Sequence, residues 1–291
     1  MTTTPVTLMA QNLSHGGTRL PDGTPDPHRL DRLLQVIGRV APDVLCLQET
    51  WPLLDHNRQG LARVEKSLGL RTIAVGQGRS ATGTLLLLSD RIGWSQVEDR
   101  YQPASWTGMS IAVLDIPGMA APLAAASVHL TPFSAVGAEN DAAYLINRLH
   151  RYGGYGVGAG DFNYPALTDR YPAGPDRHTP GPEDVPPYNR ATRWKTTPDG
   201  ALAINHDIAH LFSRSGMVDV AAHMADLTGD TSLLRPTGKG GFRVDGFQVT
   251  GPLAPAITSY RAIGHDHSDH AGVVMTFDPI LVDATAPVVW K

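Results

Sequence analysis

Short apolar runs and stretches of helical periodicity take turns through the first half of this chain. Val6 to Gln11 reads as a strand, and His28 to Val40 follows as an amphipathic helix, with Leu30, Leu33, Leu34 and Ile37 at helical spacing. Pro42-Asp43 stops that helix, and the apolar run Val44 to Gln48 reads as a buried strand. Asn57 to Leu68 fits a second helix, ended by Gly69. Thr84 to Leu88, Ser110 to Ile116 and Leu123 to His129 read as strands, Glu139 to Arg151 as a helix, and Val157 to Asp161 as a further strand. In the second half, Ala203 to Arg214 reads as helical, and Phe242 to Thr250, Ala256 to Ala262 and Gly272 to Phe277 read as strands between Gly and Pro turns. This order predicts a layered α/β protein with sheet at its centre. No linker-like stretch divides it, so residues 1–291 are expected to form one domain. Tyr164 to Gly200 stands apart: it holds eight prolines and little periodicity, and is expected to be a long excursion from the framework.

Composition narrows the options. The 291 residues are 42% hydrophobic and 18% charged, as in an ordinary water-soluble globular protein. A net charge of −4 gives no global basic field to draw in nucleic acid or anionic lipid, although a local basic rim remains compatible with nucleic acid. The one cysteine, Cys46, lies inside an apolar run and reads as a small buried hydrophobe. Met1 to Pro5 carries no leader pattern, and the longest wholly apolar run, Leu85 to Leu88, is far too short to span a bilayer. A cytoplasmic protein without membrane attachment is expected, and no obligate protein partner is evident.

The candidate chemistry sits where apolar strands finish. Gly160-Asp161-Phe162-Asn163 closes one strand, and on an extended chain Asp161 and Asn163 would point the same way. The plainer reading is a strand followed by an Asx-type turn. Gln11-Asn12, Leu47-Gln48-Glu49-Thr50 and Ser127-Val128-His129-Leu130 close other strands, Ser268-Asp269-His270 opens the last one, and Arg243-Val244-Asp245 lies just upstream of it. Each fragment alone also fits a turn, a solvated strand end or a surface ion pair. Together they place oxygen and imidazole groups where ligands of sheet proteins bind. Glu49, Asp161 and Asp269 suit a hard cation such as Mg²⁺, which takes oxygen ligands and keeps several waters. His265, His267 and His270 form an alternative transition-metal tract. Zinc-protease, nucleophile-elbow and Walker A patterns are missing.

In this order and at this spacing, Asn12, Leu47-Gln48-Glu49, Val128-His129-Leu130, Gly160-Asp161-Phe162-Asn163, Arg243-Val244-Asp245 and Ser268-Asp269-His270 resemble the motif series of the endonuclease/exonuclease/phosphatase superfamily, the deoxyribonuclease-I-like fold. The resemblance spans residues 12 to 270. It implies a four-layer α/β sandwich, two packed mixed β-sheets flanked by helices, and divalent-metal-dependent hydrolysis of a phosphoester with Mg²⁺ (Mn²⁺ as the alternative). By the same resemblance Glu49 would be the principal metal ligand, with Asn12 beside it and Asp269 completing the metal side. His270 would be the general base or phosphate-polarising group, oriented by Asp245. Asp161 would position the attacking water, and Asn163 and His129 would bind phosphoryl oxygens. Two departures stand out. Gly246 follows Asp245 where the family often has an aromatic residue, and no acidic partner for His129 is evident, since Glu98 and Asp99 are too loosely placed.

A nuclease is the leading expectation, with Arg193, Trp194 and Lys195 as a basic and aromatic substrate rim, helped by Arg177, Arg190 and the Arg235 to Lys239 segment. A phosphatase or phosphodiesterase acting on a small or lipid phosphoester is the first alternative, and a catalytically inactive binding module the second.

Overall fold

The computed structural model describes residues 4–285 apart from 21, 81, 101, 153, 168–180 and 239. Among the described residues, fourteen strands and six α-helices follow one another. The first half holds β1 (Val6–Asn12), α1 (Arg29–Val40), β2 (Val44–Gln48), α2 (Trp51–Leu68), β3 (Arg71–Gly76), β4 (Thr84–Leu88), β5 (Gly93–Glu98), β6 (Met109–Asp115), β7 (Leu123–His129), α3 (Ala135–Arg151) and β8 (Tyr155–Asp161). The second half holds α4 (Pro187–Arg193), β9 (Trp194–Thr196), β10 (Leu202–Ile204), α5 (Asp207–Arg214), β11 (Met217–Asp219), α6 (Val220–Thr228), β12 (Asp245–Thr250), β13 (Ile257–Ile263) and β14 (Gly272–Phe277).

Two six-stranded sheets form, in the orders β13-β14-β1-β2-β4-β3 and β11-β12-β8-β7-β6-β5. Both are mixed, because β1/β2 and β7/β8 pair in parallel while the other neighbours are antiparallel. Each parallel pair is bridged by a helix, α1 in one sheet and α3 in the other, the crossover that parallel pairing demands. The sheets face each other across a shared core that includes Val6, Leu8 and Ala10 of β1, Val44 and Cys46 of β2, Leu123 and Ala125 of β7, Val157 and Ala159 of β8, and Phe247 and Val249 of β12. On its outer face the first sheet turns Met9, Leu45, Leu47, Leu85 and Leu87 to α1 and α2. The second turns Ala124, Ala126 and Val128 to α3 and α5. Helix, sheet, sheet and helix make four layers, as the motif resemblance implied.

Several local expectations need correction. The helix read over Ala203 to Arg214 is a strand, β10, then a turn, then α5. The Asn205 backbone amide bonds to the Arg193 carbonyl and its side chain to the Thr192 carbonyl, so the end of α4, with β9 pairing alongside β10, sets this neighbourhood rather than local periodicity. The helix expected from Asn57 begins at Trp51, and positive φ at His56, Asn57 and Arg58 breaks its course. The excursion over 164–200 holds α4 and β9, and residues 168–180, Arg177 among them, lie outside the described residues. Among the described residues no helix is long and apolar enough to cross a membrane.

Candidate active site at the sheet ends

Strand alternation explains why polar groups meet. On β1 the residues facing the other sheet are Val6, Leu8 and Ala10, so the next in phase is Asn12. The same count carries Val44 and Cys46 to Gln48, Leu123 and Ala125 to Ser127 and His129, Val157 and Ala159 to Asp161, and Val249 and Phe247 back to Asp245. Register aligns Asn12 with Gln48, His129 with Asp161, and Asp245 with Asp161. The apolar columns of these five strands thus end in polar residues at one edge of the sandwich.

Asp161 stands at the centre of that edge. Its Oδ2 accepts from Asn12 Nδ2 at 3.0 Å, a bond between the sheets, and lies 3.6 Å from His129 Nε2 and 3.8 Å from His270 Nε2. His129 therefore does have an acidic partner, and it is Asp161. Glu98 is occupied elsewhere, held well below the usual carboxylate range by Arg100, with Tyr152 also donating to it. Asn12 Nδ2 also donates to Glu49 Oε1 at 3.3 Å, and the His15 backbone amide donates to Glu49 Oε2 at 2.8 Å. Alternation alone would turn Glu49 to the helical face. A left-handed backbone, φ 57°, swings it back.

The Asp161/Asn163 pair departs from the extended geometry expected for it. β8 ends at Asp161, Asn163 is left-handed at φ 59°, and its amide donates to Asp161 Oδ1 at 2.8 Å. This is the Asx-type turn, and it aims Asn163 Nδ2 at the Leu130 carbonyl, 2.8 Å away.

His270 and Asp245 share a bifurcated bond, Nδ1 lying 3.1 and 2.9 Å from the two carboxylate oxygens. Arg243 is engaged by another carboxylate. It pairs with Asp219, two bonds of 2.9 and 2.8 Å. Burial opposes a charge on the His270 ring, but Asp245 and Asp161 outweigh it and hold the imidazole protonated above its ordinary range. Burial likewise raises Asp245 against the pull of His270, so the two groups hold one proton between them.

Two acidic clusters are available to a cation. Asp161, Asp245 and His270 offer ligand atoms within 4.8 Å of one another, but His270 Nδ1 and Asp245 already satisfy each other. Glu49 and Asp161 turn carboxylate oxygens to either side of the Asn12 amide nitrogen, the Asn12 oxygen being taken by the Ser14 amide, and Asp269 Oδ1 beyond them is buried with no hydrogen-bond partner. Carboxylates on one side with an orphaned carboxylate oxygen fit a hard cation better than the imidazole cluster does. His265 does not join His270 in a histidine tract: its Nε2 lies 2.9 Å from Gln11 Oε1, and its ring stacks on His267.

The expected substrate rim separates. Burial lowers the pKa of Arg193 while the charges of Asp161, Tyr164 and Asp245 raise it, so its guanidinium does lie in the field of the site. Trp194 is buried edge-on to Phe242, 5.4 Å between centroids, and has no face left for a base. Lys195 points outward to Asp207. Arg235 donates to the Ala262 carbonyl, and Lys239 lies outside the described residues.

Some supporting residues carry no motif. Arg29, fully buried, donates to the carbonyls of Ser14, Arg19 and His267, tying the loop after β1 to the loop before β14. Thr237 accepts from the amides of Val244 and Asp245 at 3.1 and 2.8 Å. An arginine at a helix start and a threonine in a loop give no sequence signal for either task.

The endonuclease/exonuclease/phosphatase family model matches residues 9–270. None of the curated proteins matches the chain. Among solved structures, AP endonuclease LMAP from Leishmania major aligns with a TM-score of 0.62 at 15% identity, covering 94% of this chain and 87% of that one. D. rerio TDP2 complexed with a single-strand DNA product aligns at 0.60 and 15%, covering 95% and 100%. An endonuclease/exonuclease/phosphatase from Bacteroides vulgatus aligns at 0.61 and 14%, covering 95% and 99%.

Proposed function

Because this chain belongs to the endonuclease/exonuclease/phosphatase family, we propose that it is a Mg²⁺-dependent phosphodiesterase and that its substrate is a nucleic acid strand. The observation that carries the reading is the position of Asp161, bonded to Asn12 beside Glu49 on one side and facing His129 and His270 on the other. A carboxylate-bearing metal side and two imidazoles, that of His270 protonated, thus flank one carboxylate. The single-strand DNA product held by the similarly folded TDP2 structure supports a polymer substrate.

Glu49, Asn12 and Asp269 would hold the cation, which, when bound, neutralises phosphoryl charge as a Lewis acid. The chain's own groups do the rest. His270, kept protonated by Asp245, donates a hydrogen bond to a phosphoryl oxygen as charge builds there. This favours the phosphate-polarising role over the general-base role. His129 donates to the same phosphoryl group. Asp161 orients the attacking water and accepts its proton, its other oxygen fixed by the Asn163 amide. Asn163, anchored on Leu130, holds the turn that aims Asp161.

The test is hydrolysis of plasmid DNA, single-stranded RNA and bis(p-nitrophenyl) phosphate, with Mg²⁺ and with EDTA, by wild type and Glu49→Gln. Metal-dependent polymer cleavage that the variant loses, together with a weakened Mg²⁺ titration, is expected. Turnover of the small diester alone would move the substrate to small phosphoesters, and an unchanged Mg²⁺ titration in the variant would remove Glu49 from the metal side.

A further inference from the structure

A groove of about 490 Å³ opens beside this cluster, lined by Arg79, Trp106, Thr131, Phe133, Asn140 and Asp141 among others. Trp106 and Phe133, 45% and 66% exposed, stand edge-to-face at its mouth with centroids 6.3 Å apart. Large aromatic faces left open to water at a groove are stacking surfaces. The walls are anchored to the cleavage site. Thr107, next to Trp106, donates through Oγ1 to the carbonyl of His129, and Thr131 lies two residues beyond that histidine. Asp141, only 4% exposed, lines the groove from α3. The Ser105 hydroxyl, itself fixed by the Gly108 amide, donates to one of its oxygens at 3.4 Å.

We propose that this groove is a nucleobase subsite, taking one unstacked base of a single strand against the exposed faces of Trp106 and Phe133 and favouring guanine through Asp141. The proposal rests on the phosphodiesterase reading. An ionised carboxylate only accepts hydrogen bonds. Guanine offers it two adjacent donors, N1–H and the exocyclic amino group, whereas uracil flanks its single N–H with two carbonyl oxygens that the carboxylate repels. Arg79 at the rim supplies a positive charge for a neighbouring phosphate. This groove supplies the aromatic stacking surface that the buried Trp194 does not.

The experiment compares kcat/KM on a single-stranded oligonucleotide with that on methyl p-nitrophenyl phosphate, a diester without a base. Trp106→Ala and Phe133→Ala should lose roughly 5- to 150-fold on the oligonucleotide, the span that base stacking carries, and far less on the small diester. Equal losses on both substrates, or none on either, would overturn the subsite. In parallel, guanosine and uridine 5′-monophosphates are titrated against tryptophan fluorescence. Guanosine should bind roughly 5- to 150-fold more tightly, the discrimination of a bidentate pair, and Asp141→Asn should erase the preference. Equal binding of the two nucleotides, or a preference that survives in the variant, would refute guanine selection. Should wild type hydrolyse neither diester, the phosphodiesterase reading fails by itself, and the nucleotide titration alone decides the groove: guanosine binding lost in Phe133→Ala, which keeps the tryptophan reporter, upholds it, and no binding by wild type overturns it.

Discussion

Asp141 should lower the stability of this protein at neutral pH, and replacing it with asparagine should raise it. Burial lifts its carboxyl from the ordinary value of 3.8 to about 6, against smaller opposing contributions from the Ser105 hydroxyl, the Trp106 backbone and the Arg79 charge. Tyr164 lies within reach of the same charge but is neutral at these pH values, since burial raises its own pKa. The folded carboxyl binds its proton more tightly than the unfolded one, so between pH 3.8 and about 6 the native state carries the extra proton. Stability attributable to this group therefore falls as pH rises through that window, and the whole penalty is present above it. A shift of about two units at ~1.4 kcal/mol each amounts to a penalty on the order of 3 kcal/mol.

Asp141→Asn keeps the shape and an acceptor for the Ser105 hydroxyl while removing the charge. Urea unfolding of both proteins from pH 4 to pH 8 is the assay, because the difference between them cancels the titration of all other carboxylates. The variant should be more stable by ~2–3 kcal/mol at pH 7.5, with a melting temperature higher by about 5 °C for a chain of this length, and the gap should close toward pH 4. A constant gap across the range, or a variant less stable at pH 7.5, would refute the argument. A carboxylate that lowers stability, in a groove beside the cleavage site, has the character of a group retained for binding.

Other perturbations separate catalysis from scaffolding. His270→Ala and Asp161→Ala should each lose at least ~10²-fold in kcat while still unfolding cooperatively in urea, and a variant keeping a tenth of wild-type activity loses its place in the mechanism. Arg29→Met leaves backbone carbonyls of both site loops without their donor, so stability should drop by ~3–5 kcal/mol and kcat should fall with it; recovery of kcat in Arg29→Lys, read beside the urea midpoint, identifies a positioning role. Trp194→Ala should lose ~3–5 kcal/mol by emptying its place against Phe242, without changing the salt dependence of polymer binding. Lys195→Ala should stay within ~0.5 kcal/mol of wild type, as for an exposed ion pair, and a steep fall in its salt slope would restore it to the rim.

The framework was readable where burial is continuous. β2 and β7 are wholly buried runs whose observed bounds match the apolar pattern to the residue, and β14, nearly so, matches as well. Elements with weak pattern stayed hidden. β5 is exposed along most of its length, and β10 is three residues that exist because β9 pairs with them. Motifs at strand ends named the residues around Asp161, since a polar group terminating a buried column is a local signal. Contacts across the chain left none: Arg29 reaches a carbonyl 238 positions away. Arg193-Trp194-Lys195 misled for the opposite reason. Adjacent residues look like one basic aromatic patch, but they fall at the junction of α4 and β9, where the backbone sends Trp194 into the core and Lys195 out.

The glycine-rich run before Asp161 shows how much of a site can depend on atoms a residue lacks. Read as sequence, Tyr155 to Gly160 marks only a buried strand. In the fold Gly156 and Gly158 let α3 lie against β8, since a Cβ at either would press on Leu149 or Leu145. Gly160 has φ 146°, and a Cβ there would overlap the Val128 carbonyl and come within 2.8 Å of Gln48 Nε2 from the facing sheet. Gln48 is itself bonded to Ser127, so it has no room to retreat. Gly160→Ala should therefore push the sheets apart at the one edge where Asn12 must reach Asp161. Expected losses are at least ~2 kcal/mol in stability, as for overpacking at a strained backbone position, together with a fall in kcat. The alanine variant of Gly158, where the nearest atoms are the flexible ends of leucine side chains, should lose stability while keeping kcat. If both variants lost kcat in proportion to their stability, the spacing between the sheets would not be what holds the site together.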